Sequence, residues 1–373
     1  MPSPLEPTRR DFLVTAGAAL AAACTTPAAS PTTAVADAHD EALASLVQHG
    51  PEFGGGLSNH GPMAIEALGA MQRADAIPKW LANYRPNLQP APALGKVLPP
   101  ADHQEQLGKP AAFPDWEATF AALLQEQPWQ TVVGAWQTRL LPGMLGALAH
   151  GVIRTGHAVR AMTTKDTPLR RQELARALAY QAANFRPLLG PPGDGLGEPL
   201  AALAKVPLLP ANLRQQQRGA SDRRIAEVRE HAPFAAALAQ AGPRDNQPFL
   251  TQLLATLAQQ FVRHGADSPI MFCHAFTATA ALVPLWPCLD EATRALGCRH
   301  AWQLAAAIQC RFAKAVFTPP ELEAVAWPED LIDAAVSDGD EHVIKLTAAC
   351  ALAWRQAPSP AFVAAARAIT RLL

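Results

Sequence analysis

The chain has 373 residues, of which 49% are hydrophobic and 17% charged, so it contains enough apolar material for a large buried core. Its formal net charge is −1, and no cluster of lysines and arginines with interleaved aromatic residues is present, which argues against a nucleic-acid partner. No apolar run reaches the roughly 18 residues of a membrane span, so we expect a globular protein.

The start of the chain resembles an export signal. Residues 8–13, Thr-Arg-Arg-Asp-Phe-Leu, match the twin-arginine pattern, and an alanine-rich apolar stretch follows. Small residues then precede Cys24, as in a lipoprotein cleavage site that makes this cysteine the lipid-bearing first residue. The alternatives are cleavage at the A-x-A site of residues 36–38 and an uncleaved tail. We predict a signal peptide (1–23), a linker (24–38) and a periplasmic or membrane-anchored lipoprotein that contacts the membrane only through Cys24.

The remaining residues, 39–373, are predicted to form one all-α domain with irregular proline-rich loops. Apolar residues recur at helical spacing, few stretches alternate with a period of two, and no fixed-period repeat is present. Residues 85–114 are proline-spaced and are predicted to cross the surface irregularly. The glycine-rich stretch 190–197 lacks the βαβ setting of a nucleotide site and is predicted as a plain turn. Predicted helices cover about 39–48, a segment starting near 62, 115–126, 129–139, 143–162, 168–185, 221–241, 246–264, 268–285, 290–316, 329–336, 340–356 and 359–372.

Five cysteines besides Cys24 have neither an even number nor C-x-x-C spacing, so neither a disulfide framework nor a zinc knuckle is indicated. We expect them to be buried small residues. They are Cys273, Cys288, Cys298, Cys310 and Cys350.

Five of the eleven histidines lie among small or apolar residues of predicted core helices or at their starts. These are His60, His150, His157, His274 and His342. Neutral imidazoles suit iron, zinc and copper, and helical bundles commonly assemble metal sites from separate helices. The other six lie near polar residues or helix ends, and we predict no role for them. They are His39, His49, His103, His231, His264 and His300.

Two spacings restrict the set of ligands. His150 and His157 are seven residues apart, which separates them by about 10.5 Å along a helix axis, so we expect at most one of them to bind a shared ion. His342 and Lys345 are three residues apart and share a helical face. Apolar residues follow Lys345, so its amine either reaches water or is buried with a perturbed pKa.

Four segments in this order together resemble the questin oxidase-like family. They are Asn-His-Gly-Pro-Met (59–63), His-Gly-Val-Ile-Arg-Thr-Gly-His-Ala (150–158), Phe-Cys-His-Ala-Phe-Thr (272–277) and Glu-His-Val-Ile-Lys-Leu-Thr (341–347). The resemblance runs from about Phe53 to Trp354. It implies an all-α oxygenase that opens a ring of a polycyclic aromatic or quinone-like substrate with O₂.

The same resemblance implies a non-haem Fe(II) site between core helices. Its ligands would be His60, His150, His274 and His342, with a carboxylated Lys345 as the fifth. His157 and Arg154 would orient a substrate oxygen, which together with Lys345 makes them the predicted catalytic residues. The chain has Arg154 where fungal-type members carry a second histidine, and it also differs from them at His157, which bears on the substrate and the reaction outcome more than on the metal.

Two other functions are compatible with the sequence. The first is a metal-free, NADPH-dependent monooxygenase of Baeyer–Villiger type, although no dinucleotide-binding fingerprint is present. The second is a non-catalytic helical lipoprotein that binds a hydrophobic ligand and uses its histidines as core residues. Candidate ligand groups that lie far apart in the folded protein would favour the second.

Overall fold

A computed structural model describes residues 37–187, 198–214, 221–238 and 247–373, and these ranges form one helical domain, as predicted. The signal peptide, Cys24, the linker up to residue 36 and the glycine-rich turn lie outside the described residues. The elements are α1 (Ala38–Leu46), β1 (Glu52–Phe53), β2 (Leu57–Ser58), α2 (Gly61–Ala70), α3 (Ile77–Tyr84), α4 (His103–Gln106), α5 (Phe113–Glu126), α6 (Trp129–Leu140), α7 (His150–Thr164), α8 (Pro168–Ala183), α9 (Pro199–Leu203), α10 (Ala211–Arg214), α11 (Ser221–Ala226), α12 (Ala232–Leu238), α13 (Gln247–His264), α14 (Pro269–Ala280), α15 (Leu282–Leu285), α16 (Glu291–Phe312), α17 (Asp330–Asp338), α18 (Glu341–Gln356) and α19 (Pro360–Leu372).

Two predicted helices differ clearly from the structure. The helix predicted over 143–162 begins only at His150, because the preceding residues form short 3₁₀ turns and a left-handed segment. The helix predicted over 221–241 is split into α11 and α12 by a 3₁₀ turn over Glu227–Glu230. A two-stranded antiparallel hairpin, β1 with β2, also precedes α2 and was not predicted.

The helical stretch Pro269–Cys288 is long and apolar enough to cross a membrane, so the statement that no apolar run reaches this length was wrong. It comprises α14, α15 and a following 3₁₀ turn. Of its most apolar window, 67% is buried inside the protein. Such burial is what a core helix of a globular domain requires, and α14 is one of the helices that form the candidate site.

Four helices pack around a common centre in the order α2, α7, α14 and α18. Each packs against the next, and α18 closes the ring against α2. The α18 helix joins two parts of the core. Its Ile344 and Ala348 pack in a smaller apolar cluster with α1, α2 and α3, whereas Val343 and Leu346 belong to the main core. This arrangement buries the first turns of α2, α7 and α18 together.

Candidate metal centre

Each of the four central helices contributes one histidine to a shared cluster. His60 is the N-cap of α2, His150 is the first residue of α7, His274 lies in the middle of α14, and His342 lies in the first turn of α18. All four side chains are buried. The sequence therefore brings together residues that are up to 282 positions apart by starting or centring a helix at each of them.

Local hydrogen bonds fix the backbone around His60. The amide nitrogen of His60 donates to the Tyr84 hydroxyl at 2.7 Å. The side chain of Asn59 accepts from the Gly61 amide and donates to the Gly50 carbonyl, both at 2.9 Å. These bonds connect the loop before α2 to the first part of the fold, so the imidazole enters the cluster from a rigid helix start.

The imidazole nitrogens converge on one point. His60 Nε2 lies 2.6 Å from His150 Nε2, and His274 Nε2 lies 3.0 Å from the same atom. A ligand nitrogen of His342 is within 4.8 Å of those of His60 and His150. Two nitrogens bound at about 2.1 Å to one ion are separated by about 3.0–3.4 Å, so the His150–His274 distance fits and the His60–His150 distance is a few tenths of an ångström short.

Hydrogen bonds to carbonyl oxygens determine which nitrogen carries the proton in two of the rings. His150 Nδ1 donates to the Ala147 carbonyl at 2.5 Å, and His274 Nδ1 donates to the Ile270 carbonyl at 2.6 Å. A carbonyl oxygen only accepts, so both Nδ1 atoms are protonated and both Nε2 atoms carry lone pairs in the neutral rings. Two lone pairs therefore face each other at 3.0 Å in a buried site.

Protonation does not relieve this repulsion at neutral pH. Burial lowers the pKa of His60, His150 and His274 well below the ordinary value, and the charges of Lys345 and the neighbouring imidazoles add to this effect. Burial also lowers the pKa of His342. The cluster is consequently a set of neutral imidazoles, which is the form that binds a metal ion.

Carboxylates lie behind two of the rings. Glu341 Oε1 is 3.1 Å from His60 Nδ1, and Asp340 Oδ1 is 3.3 Å from His342 Nδ1. Neither contact has hydrogen-bond geometry, since both Nδ1 atoms are buried without a hydrogen-bond partner in the described part of the chain. Small ring rotations would give the carboxylate–imidazole pairs that typically orient metal-bound histidines. Neither carboxylate was predicted as part of the site, although their position next to His342 was the available signal.

Lys345 is buried beside the four imidazoles. Its side chain is about 1% exposed, and its Nζ has no hydrogen-bond partner among the described residues. Burial lowers the pKa of Lys345, and its charge in turn lowers the pKa of each of the four imidazoles. Of the two options that the sequence left open, the structure shows the buried amine with a perturbed pKa.

A left-handed turn lies directly before His150 and positions this residue at the start of α7. Ala147, Leu148 and Ala149 have φ angles of 47°, 53° and 64°, in a region that costs about 1–2 kcal/mol per residue for L-amino acids. Gly146, just before this turn, packs so closely on the segment after α8 that a Cβ would lie 1.4 Å from the Asn184 carbonyl oxygen. The turn aims the Ala147 carbonyl at His150 Nδ1, and strain of this kind is concentrated at functional sites.

The other two predicted catalytic residues have partners outside the histidine cluster. His157 Nδ1 is bonded to Glu66 Oε2 at 2.6 Å, and Arg160 contacts both oxygens of the same carboxylate. Arg154 makes a two-bond ion pair with Glu173 at 2.6 and 2.8 Å. As the helix geometry predicted, His150 and His157 lie in different clusters. Glu66, which the sequence analysis missed, offered no signal beyond its place in an apolar helix.

These residues do not line a ligand-sized cavity in this structure. Glu66, Arg154, His157 and Glu173 line a cavity of about 10 Å³, which is at the lower limit for a single water molecule. Burial raises the pKa of Glu66 on its own, but the charge of Arg160 and the hydrogen bond from His157 outweigh it and lower that pKa to about 2. The assignment of His157 and Arg154 to catalysis stays a prediction.

In comparisons with known proteins, neither a protein-family model nor a curated protein sequence matches this chain. The resemblance to the questin oxidase-like family therefore rests on the four segments and on the cluster that their histidines form. Membership in that family stays a prediction.

Proposed function

We propose that this protein is a non-haem iron oxygenase that acts on an aromatic or quinone-like substrate. The observation that carries the proposal is the pair of lone pairs on His150 and His274, which face each other at 3.0 Å where two further imidazoles meet. A metal cation converts this repulsion into attraction, and imidazoles suit iron. The choice of iron and of oxygenase chemistry comes from the resemblance to the questin oxidase-like family.

Lys345 supports the proposal because a buried amine without a partner is costly unless it reacts or binds. Its lowered pKa favours the neutral amine, which can attack CO₂ to form an N–C bond and release one proton. The resulting carbamate is an anionic oxygen ligand. Four neutral imidazoles and one carbamate would leave a ferrous site with one net positive charge.

Bound iron would supply the redox chemistry that activates O₂ toward the substrate ring. The chain itself would hold the site in position. The carbonyls of Ala147 and Ile270 keep the His150 and His274 rings in the metal-binding tautomer. Glu341 and Asp340 would accept hydrogen bonds from the Nδ1–H groups of His60 and His342, and burial excludes water from the cluster.

The experiment that tests the proposal begins with elemental analysis of protein purified without chelator. We expect near-stoichiometric iron, the EPR signal of a ferrous nitrosyl adduct after addition of nitric oxide, and O₂ uptake with one of a panel of hydroxylated quinones. The same protein with NADPH but without iron should not consume O₂. Failure to bind iron after anaerobic ferrous reconstitution would contradict the proposal and favour a non-catalytic binding protein.

The proposal includes export by the twin-arginine route, with processing before Asp37. Asp37 caps α1 by accepting from the Asp40 amide at 2.9 Å, and it also pairs with the buried Arg170 at 2.8 Å. Cleavage after residue 38 would remove both interactions, whereas cleavage at Cys24 preserves them. Mass spectrometry of the exported protein should find a lipid-modified Cys24 at the N-terminus. An N-terminus at His39 would contradict processing before Asp37.

A further inference from the structure

We infer that a pocket beside the candidate metal centre binds a one- or two-ring aromatic ketone, with Arg160 donating a hydrogen bond to the carbonyl oxygen. The pocket has a volume of about 260 Å³ and lies between α7, α13, the α14–α15 segment and α18. Its apolar lining includes Leu254, Ala280, Val283, Ala349, Leu352 and Ala353.

The pocket lies along the same helices that carry the histidine cluster. On α18 its wall begins at Ala349, four residues and about 6 Å after Lys345, and Leu352 and Ala353 continue the same face. On α14 the wall is reached at Ala280, six residues after His274. No candidate metal ligand lines the pocket, so a bound molecule would be a neighbour of the metal rather than its ligand in this structure.

The volume limits the size of the occupant. An apolar cavity of about 150 Å³ is enough to hold benzene, so about 260 Å³ accommodates one or two fused rings, and a third ring would extend into solvent. Leu254 and Ala353 are buried and form the floor, while Val283 and Leu352 are partly exposed. A flat, largely apolar ring system fits such a half-open pocket, with its remaining substituents in solvent.

Arg160 is the one charged residue in the lining, which also contains the uncharged polar residues Thr163 and Gln356. Its Nε and Nη2 contact Glu66 at 2.7 and 2.5 Å, so the guanidinium is fixed. Nη1 has no hydrogen-bond partner among the described residues and remains able to donate. Because Glu66 already neutralises the guanidinium, the pocket offers a donor without net positive charge. A neutral carbonyl oxygen suits such a donor.

This inference concerns binding, and only its link to turnover rests on the proposed function. The test therefore uses metal-free protein and isothermal titration calorimetry with three probes. Methyl naphthyl ketone should bind, and ethylnaphthalene, which lacks the oxygen, should bind about 2–10-fold more weakly because it loses one hydrogen bond. Methyl anthracenyl ketone should bind no more tightly than methyl naphthyl ketone, because its third ring stays in solvent. Equal affinity for the first two probes would overturn the role of Arg160, and tighter binding of the third would overturn the size limit.

Variants locate the site. Ala349→Leu places three extra carbons in the pocket and should abolish binding of methyl naphthyl ketone. Ala121→Leu makes the same change in a separate cavity beside α5 and α8 and should leave binding unchanged. Arg160→Gln should remove the preference for the ketone over ethylnaphthalene. Unchanged ketone binding in Ala349→Leu would overturn the proposal. This test does not depend on whether Arg160→Gln folds.

Iron content separates this inference from the proposed function. Ala349→Leu should load iron like the wild-type protein, because Ala349 is not a candidate ligand. Loss of ketone binding with normal iron supports the pocket. Normal ketone binding in wild-type protein that takes up no iron would leave the pocket in place and contradict only the oxygenase.

Discussion

The α2 and α7 helices run side by side and bring together two buried clusters with opposite properties. At their N-terminal ends, His60 meets His150, whose Nε2 lone pair faces that of His274 on α14. Six and seven residues further on, Glu66 meets His157, and both carboxylate oxygens accept hydrogen bonds. Burial is similar in the two places, so the difference is in the partners. The second cluster is complete with protein atoms alone, whereas the first leaves the lone pairs of His150 and His274 facing each other.

The largest expected effect comes from removing a ligand of the incomplete cluster. In His150→Ala, bound iron should fall to background, because this ring contacts two of the other three imidazoles. The loss of affinity should exceed the about 10–100-fold that loss of an outer partner costs. His103→Ala is the matched control, since His103 is also buried but packs against Trp116 and Trp136 and bonds the Leu98 carbonyl, none of which belongs to the histidine cluster. Metal analysis of both folded variants makes the measurement, and equal iron contents would refute the assignment.

A substitution in the cluster around Glu66 should change the stability of the protein rather than its metal content. Glu66→Gln leaves Arg160 and His157 without their carboxylate, which should lower the free energy of unfolding by about 3–5 kcal/mol. Because the folded pKa of Glu66 is lowered to about 2, its stabilising effect is present above the ordinary carboxyl pKa near 4.5 and is lost as the pH falls toward 2. Urea unfolding of the wild-type protein and of Glu66→Gln across this pH range measures the loss of stability and its pH dependence. Loss of iron from a well-folded variant would show that the two clusters are not separate.

Lys345→Met should have effects of opposite sign on stability and metal binding. Removing a buried amine without a partner should raise the unfolding free energy of metal-free protein by about 1–3 kcal/mol, while iron loading falls.

The pH dependence identifies the lysine as the cause. Because the pKa of Lys345 is lowered in the folded protein, only the unfolded state keeps the lysine proton between that lowered pKa and about pH 10.4. The free energy of unfolding of the wild-type protein therefore rises with pH between these two values. This rise should be absent in Lys345→Met and present in Lys109→Met, a half-exposed control. A lower free energy of unfolding in Lys345→Met would contradict the claim that the Lys345 amine is buried without a hydrogen-bond partner among the described residues.

The smallest expected effect concerns the outer carboxylates. Glu341→Gln keeps the shape of the side chain but removes the charge 3.1 Å from His60 Nδ1, so the dissociation constant for iron should rise about 10–100-fold. Glu105→Gln changes an exposed carboxylate on α4 and should leave the dissociation constant for iron unchanged. Competition with a chelator of known affinity measures both constants. Identical values would mean that Glu341 does not orient His60.

The helices were largely predictable from the sequence, because apolar periodicity reports which faces are buried. His60 at a helix start and the separation of His150 from His157 followed from glycine, proline and helix geometry. The left-handed turn at 147–149 was not predictable, since alanine and leucine favour right-handed helix and the turn depends on tertiary packing against other helices and against the segment after α8. The Glu66 pairing was also missed, because it depends on which faces of α2 and α7 meet.

X-ray absorption spectroscopy on anaerobically iron-loaded protein tests the central claim most directly, because it reports the ligands of the metal itself. We expect scattering from four imidazoles and one further oxygen ligand in the wild-type protein, and loss of the oxygen contribution in Lys345→Met. An iron site with sulfur ligands, or with fewer than three imidazoles, would contradict a centre built from His60, His150, His274, His342 and Lys345.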